Sequence, residues 1–175
     1  QPGVRVDVVT GSALPFRFFE RVLAQAGETT AFRDALEQIL LSGEQKDFER
    51  ESQRVGRVIA RVSDDIYQNI VEEELGVDFT ELFNNGVFVR TATNVENLPQ
   101  HPGLGSGTYL TLPNVRNEFI FWNMVYMAWK SVWSPAAIAQ RRQVHIDENK
   151  VFPAIWLVPS VKADYSFVIH TSQTA

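Results

Sequence analysis

Between Phe119 and Trp133 nearly every side chain is apolar, and no register of that run puts its polar residues on one face. A helix with apolar residues all round is not a surface helix, so this segment must cross a protein core. It falls short of the roughly 18 to 20 apolar residues that a membrane span needs. The rest of the chain therefore has to cover it. A chain of 175 residues, 45% hydrophobic and 21% charged, has the material for one domain with a sizeable core. The aromatic cluster Phe119, Phe121, Trp122, Tyr126, Trp129 and Trp133 is expected to be core, with Trp133 or Trp156 the best placed to line a cleft.

Around this segment the hydrophobic pattern changes its period. From Leu14 to Gly76 apolar residues recur three or four apart, which predicts three helices. The first holds Phe16, Phe19, Val22 and Leu23 on one face. The second, with Thr30 as its expected N-cap, runs through Phe32, Leu36, Ile39 and Leu40 to Gly43. The third is expected to be longer, through Val55, Val58, Ile59, Val62, Ile66 and Ile70 to a stop at Gly76. Its charged positions Arg50, Glu51, Arg54, Arg57, Arg61, Asp64 and Asp65 read as a solvated face.

After Gly86 the signals are those of strands and loops. Val87 to Val89 and Thr108 to Leu112 read as strands, joined by a long loop from Thr93 to Gly107. Asn114 is the expected cap of the apolar helix, and Pro135 opens a short helix to about Gln143. Ala154 to Val158 and Tyr165 to Ile169 read as two further strands. The fold class is α+β: a helical part over about 12–76 packed on a small mixed or antiparallel sheet within a sheet-and-helix part over about 87–171. The chain starts at Gln1 without methionine and stops at Ala175 just after an apolar segment, so a single domain cut from a larger multidomain protein is expected.

Composition excludes several functions. A net charge of −5 and a pI near 5.2 argue against nucleic acid as a partner, because phosphate-backbone affinity is built from excess Lys and Arg. Without cysteine there is no disulfide framework, thiol nucleophile or cysteine-held metal. With no spanning segment and no signal-peptide pattern, a cytoplasmic protein without membrane partners is expected. His101, His145 and His170 have no carboxylate or histidine at ligand spacing, and no metal or catalytic residue is assigned.

The chemistry-bearing stretch is Val87 to Val115, VFVRTATNVENLPQHPGLGSGTYLTLPNV. Arg90 supplies a planar fork that is always charged, at the end of a short strand. Gly105 and Gly107 carry no Cβ, so their backbone N–H groups can approach phosphate oxygens. As physics alone, such a stretch serves either as a phosphate cradle or as an ion-paired turn.

The same stretch resembles the dikinase superfamily of phosphoenolpyruvate synthase, pyruvate phosphate dikinase, α-glucan water dikinase and rifampicin phosphotransferase. VRTATNVENLP and SGTYLT stand where that family has V-R-S-S-[ST]-N-[AV]-E-D-L-P and A-G-[LQ]-[YQ]-[DE]-[ST]. In the same order follow WKSVWSPAAIAQRR, similar to W-A-S-[LV]-[WF]-S-x-R-A-[IV]-x-Y-R, and IWLVPSVKADYSFVIHT, similar to V-L-V-Q-x-[MV]-V-x-A-D-Y-[AS]-F-V-[IL]-H-T. Upstream, VVTGSALPFRFFERVL resembles V-P-x-G-x-A-[LI]-P-F-x-x-[FY]-E.

The resemblance implies most of the N-terminal lobe of an ATP-grasp nucleotide-binding domain. ATP and Mg²⁺ are the implied cofactors, with the Mg²⁺ ligands outside this chain. The implied partners are the nucleotide, a second ATP-grasp lobe and a phosphohistidine domain that passes phosphate to an acceptor such as pyruvate or glucan. Arg90 then matches a phosphate-binding arginine, Thr111 a loop threonine on phosphate, and Gly107 the glycine that lets the loop approach. Glu96 matches an acidic site residue or is a capping carboxylate of the loop, and Arg141 is expected in a structural ion pair. Leu110, Ala136, Val158 and Asn97 stand where the family has charged or hydrogen-bonding groups, Val158 in place of a glutamine beside adenine. Each lost group is typically worth about 1–3 kcal/mol. Two readings remain open: the lobe of a working phosphotransferase, inactive alone, or a degenerate, non-catalytic binding module.

Overall fold

In the computed structural model, residues 10–42, 45–62, 65–66, 69–70 and 83–165 are described. Four strands form one antiparallel sheet: β1 (Ser12–Leu14), β2 (Val87–Thr93), β3 (Thr111–Val115) and β4 (Pro153–Pro159). Their order is β1-β4-β2-β3. The helices whose whole bounds are described are α1 (Phe16–Gln25), α2 (Thr29–Leu41), α3 (Gln45–Ile59), α4 (Glu118–Val132) and α5 (Pro135–Gln143), with a 3₁₀ turn at Glu148–Lys150. The α+β class is therefore observed, with an antiparallel sheet.

β2 and β4 pair along their whole lengths, from Val87 opposite Pro159 to Thr93 opposite Pro153. Proline at both ends of β4 removes two N–H donors where the ladder stops. The two edges are short or interrupted, β1 by Pro15 and β3 by Pro113, which limits edge-to-edge pairing.

Alternation along β2 and β4 gives the sheet two different faces. Val87, Val89, Ile155 and Leu157 point to one side and are buried. On that side lie α4, packed on β2, β3 and β4, and α1, packed on β4. α4 is the apolar segment, and Trp122, Trp129 and Val132 are buried with Phe121 and Val125. Trp129 meets Phe18 and Phe19 at ring-centroid distances of 5.8 and 4.9 Å. Trp133 stacks on Phe19 at 5.7 Å and meets Phe32 edge-on at 5.0 Å, so it belongs to the core and lines no cleft. Arg142 ties α5 to the first half of the chain by donating to the Ser42 carbonyl and lying 5.0 Å from the Phe48 ring.

Several local expectations are corrected. The Asn117 side chain, not Asn114, caps α4 by accepting from Ile120 N–H at 2.9 Å. Asn114 instead takes a left-handed conformation, φ 57°, inside β3. β3 itself begins at Thr111, three residues later than the Thr108 start expected, because Ser106 and Thr108 N–H close consecutive turns on Gly103 and Gly105. α2 starts at Thr29 after Glu28 and has no side-chain cap from Thr30. α3 stops at Ile59, where Arg61 and Val62 N–H bond three residues back and tighten the chain into a turn. Ile66 and Ile70 still pack on the core, whereas Asp64, Gly76 and, beyond its exposed first residue Tyr165, the strand expected over 165–169 lie outside the described residues. Glu51 is not on a solvated face: it is fully buried, with Arg50 Nε at 2.9 Å and Arg54 Nη1 at 3.2 Å.

Trp133→Ala removes a fully buried ring between two phenylalanines. It is expected to cost about 3–5 kcal/mol, read as a lower midpoint in urea unfolding with an unchanged slope.

Candidate functional site

The outer face of the sheet carries the sequence-predicted arginine at its centre. Strand register places Ala13, Trp156, Arg90 and Thr111 directly opposite one another across β1, β4, β2 and β3. All four are exposed, Trp156 by 52%. Directly opposed residues on one sheet face have Cβ atoms about 4.5–5.5 Å apart. A guanidinium thus stands between an indole and a hydroxyl on an otherwise small or apolar surface. Among the described residues the Arg90 side chain makes no hydrogen bond or salt bridge. The charged group that bears on it is Glu96, whose carboxyl burial pushes up from its ordinary value while a backbone hydrogen bond at Thr93 and the charge of Arg90 pull it back.

The loop from Asn94 to Leu110 bends over this end of the sheet and is held by side chains from three places. At its start, Asn94 accepts from Phe152 N–H at 2.7 Å and donates to the Lys150 carbonyl at 2.8 Å. In its middle, Gly105 N–H donates to Gln140 Oε1 of α5 at 3.2 Å. Gly105 has φ 83°, and a Cβ there would stand 2.5 Å from Tyr109 and 3.3 Å from Glu96, so glycine is required for loop closure. Its amide is thereby occupied within the fold. Gly107, at φ 73°, has nothing within 4 Å of where a Cβ would be, so this stretch of backbone is open.

At its end the loop is fixed more firmly. Arg141 is fully buried and donates through Nε and Nη2 to Glu148 Oε1 and Oε2 at 2.8 and 2.7 Å, and through Nη1 to the Tyr109 hydroxyl at 3.2 Å. Burial works to lower its pKa, but Glu148 and Tyr109 outweigh burial and raise it above the ordinary arginine value. One residue on, Leu110 N–H donates to Ser131 Oγ of α4 at 3.1 Å. The Leu110 carbonyl accepts from Thr91 N–H at 3.1 Å and Thr91 Oγ1 at 2.9 Å. Thr91 and Ser131 hydroxyls lie 3.4 Å apart, and both reach the Ala128 carbonyl. This polar knot under the sheet sets the position of Thr111 beside Arg90.

Arg90, Thr111 and Glu96 are therefore brought to one region with Trp156, while Arg141 stands behind the loop as a buried ion pair. Leu110 is partly exposed beside Thr111, Val158 is paired with Phe88 on the outer face, and Ala136 is exposed in the first turn of α5. Tyr109, Ser131, Gln140 and Glu148 had no signal of their own in the sequence, because their roles depend on contacts between segments 7 to 35 residues apart. His101 lies in the loop and His145 just after α5, where it lines a cavity with Asp147 and Glu148; His170 is outside the described residues. Among the described residues no group of three or more histidines or carboxylates is placed to hold a metal, and no helix is long and apolar enough to cross a membrane.

This is an α+β domain whose antiparallel sheet is covered by helices on one face and presents an arginine on the other. Over 171 residues it is 26% identical to phosphoenolpyruvate synthase of Aeropyrum pernix, which covers 95% of this chain and 20% of the relative. That weak homology supports a relation to the phosphoenolpyruvate synthase superfamily, and the chain spans about a fifth of the length of the curated relative it matches. No protein-family model matches the chain.

Replacing Arg141 alone by Met leaves Glu148 buried and unpaired, and is expected to cost about 3–5 kcal/mol. Adding Glu148→Leu should recover most of that loss, which a double-mutant cycle of urea midpoints measures. Glu96→Gln tests the burial of its carboxyl. A carboxyl whose folded pKa is raised stabilises the fold below its unfolded pKa, and that contribution is lost as pH rises through the folded value. The variant should therefore be more stable than wild type at neutral pH, with the difference shrinking as pH falls through the folded value and gone below about pH 4 in pH-resolved thermal melts.

Proposed function

We propose that the chain is the N-terminal, ATP-grasp-type lobe of a dikinase-like phosphotransferase, a single domain that is incomplete without a second lobe. The observation that carries this reading is the Arg90 guanidinium, which has no ion-pair partner among the described residues and is set between Trp156 and Thr111 on the outer sheet face. A guanidinium without a carboxylate partner fits the phosphate oxygens of a nucleotide, which accept its fork bidentately. Thr111 adds a hydroxyl, and the backbone around Gly107 is free to approach. Glu96 bears on the cation by charge alone. The phosphate-binding residues are thus Arg90, Gly107 and Thr111, with Glu96 in support and none of them catalytic.

ATP is the nucleotide that the resemblance implies, with Mg²⁺ supplied with ligands outside this chain to neutralise charge on the phosphates. The same reading gives the parent a phosphohistidine domain and a final acceptor such as pyruvate or glucan, in the cytoplasm. Homology to a protein named phosphoenolpyruvate synthase and about five times longer supports further domains in the parent. A second reading, a non-catalytic dikinase-like binding module, is favoured by Leu110, Ala136 and Val158, which put apolar groups where the resembling pattern has polar ones.

Calorimetric titration of ATP with Mg²⁺ into the full-length protein separates the two readings. Binding that weakens at least about tenfold in Arg90→Ala is expected, the loss of one charge-assisted contact. No binding at millimolar ATP, or an affinity indifferent to Arg90, would overturn the nucleotide reading.

A further inference from the structure

The end of the sheet away from the glycine loop holds a cavity of about 430 Å³ whose lining includes Phe88, Asn114, Arg116, Ser160 and Lys162. Two of these side chains are cationic, and among the described residues no carboxylate lines the cavity. Three features show that it is shaped by the fold. Asn114 stands in a left-handed conformation, φ 57°, and its Oδ1 accepts from Arg116 Nε at 2.7 Å. That bond orients the guanidinium while leaving the two-nitrogen fork available. Gly86, at φ 77°, makes the arrangement possible, because a Cβ there would stand 2.9 Å from Asn114 Oδ1 and 3.4 Å from both Arg116 Cγ and Ser160 Oγ. Its carbonyl accepts from Ser160 N–H at 2.8 Å and ties the end of β4 to the start of β2.

The third feature is the Ser160 hydroxyl, shut into the wall beside Gly86 without a hydrogen-bond partner among the described residues, and so out of reach of anything in the cavity. What points to a ligand is charge: Arg116 and Lys162 line one cavity with no carboxylate among its described lining residues. A phosphate group, which carries about −1.5 to −2 at neutral pH, matches two cations where a carboxylate brings one charge. Gly86 and Arg90 are four residues apart on one strand, roughly 13 Å at about 3.3 Å per residue, too far for one phosphate to touch both ends.

We propose that this cavity is a second oxyanion site, independent of Arg90, that takes a phosphate group carried by a small molecule. The test is hydrogen exchange, read peptide by peptide on the full-length protein, with inorganic phosphate titrated against acetate at matched ionic strength. Saturable protection of residues 84–88, 112–116 and 158–162 by phosphate and not by acetate is expected. The Arg116→Gln/Lys162→Gln double variant should raise the midpoint at least about tenfold, a loss of about 1.4 kcal/mol, and Arg90→Ala should leave it within about twofold. An unchanged melting temperature of the double variant guards against a folding artefact. Protection that is absent, equal in acetate, indifferent to Arg116 and Lys162, or lost with Arg90 would overturn the proposal.

Discussion

The contact on which the loop and the sheet face both depend is the buried pairing of Arg141 with Glu148 and Tyr109. A guanidinium with no exposed surface has lost its hydration and can stay charged only if its donors are met. Glu148 meets two of them in a forked geometry, and Tyr109 takes a third. Because those partners come from a 3₁₀ turn and from the end of the glycine loop, satisfying one cation locks three segments together. Its geometry sets where Tyr109 sits, and Tyr109 is two residues from Thr111.

Around that lock the fold divides its labour between two sides of one sheet. The inner face is a dense aromatic and aliphatic core in which Phe19 touches Phe32, Trp129 and Trp133. Such a core holds β2 and β4 in a single register, since a slip by one residue would turn Arg90 inward and Val89 outward. The outer face is therefore presented by the rigidity of the inner one. Hydroxyls of Thr91 and Ser131 then carry the connection from α4 through the sheet to the backbone of Leu110. Rigid support of this kind is what a site for a charged group needs, because side chains placed in advance lose little freedom on binding.

Much of this arrangement was legible in the residues. The period of the apolar pattern located α1, α2 and the start of β2, and the apolar run from Phe119 marked a helix packed on the core. It is not buried all round as expected: Phe119, Ile120 and Met127 are exposed on its outer face, Phe119 by 77%. Ser134 and Pro135 announced α5, whose first turn is capped by the Ser134 hydroxyl. The misreadings share a cause, which is that short polar residues serve several local purposes. Asn114 and Asn117 are both good caps by composition, and only the turn at the end of β3 decides between them. Glu51 sits among basic neighbours that suggest solvent, yet tertiary packing buries it. In the site, Arg90 and Thr111 stood out because each is a chemically distinctive residue in a motif. Gln140, Tyr109 and Ser131 did not, because a supporting side chain is defined by what it touches, and those contacts are made between distant segments.

The most direct test of the account is a crystal structure of the full-length protein with a non-hydrolysable ATP analogue. The account predicts its phosphates over the outer sheet face, with oxygens about 2.7–3.2 Å from Arg90 and from the Thr111 hydroxyl, and no movement of the Arg141–Glu148–Tyr109 contact behind them. An analogue bound elsewhere, with Arg90 paired to a carboxylate from another part of the protein, would contradict it.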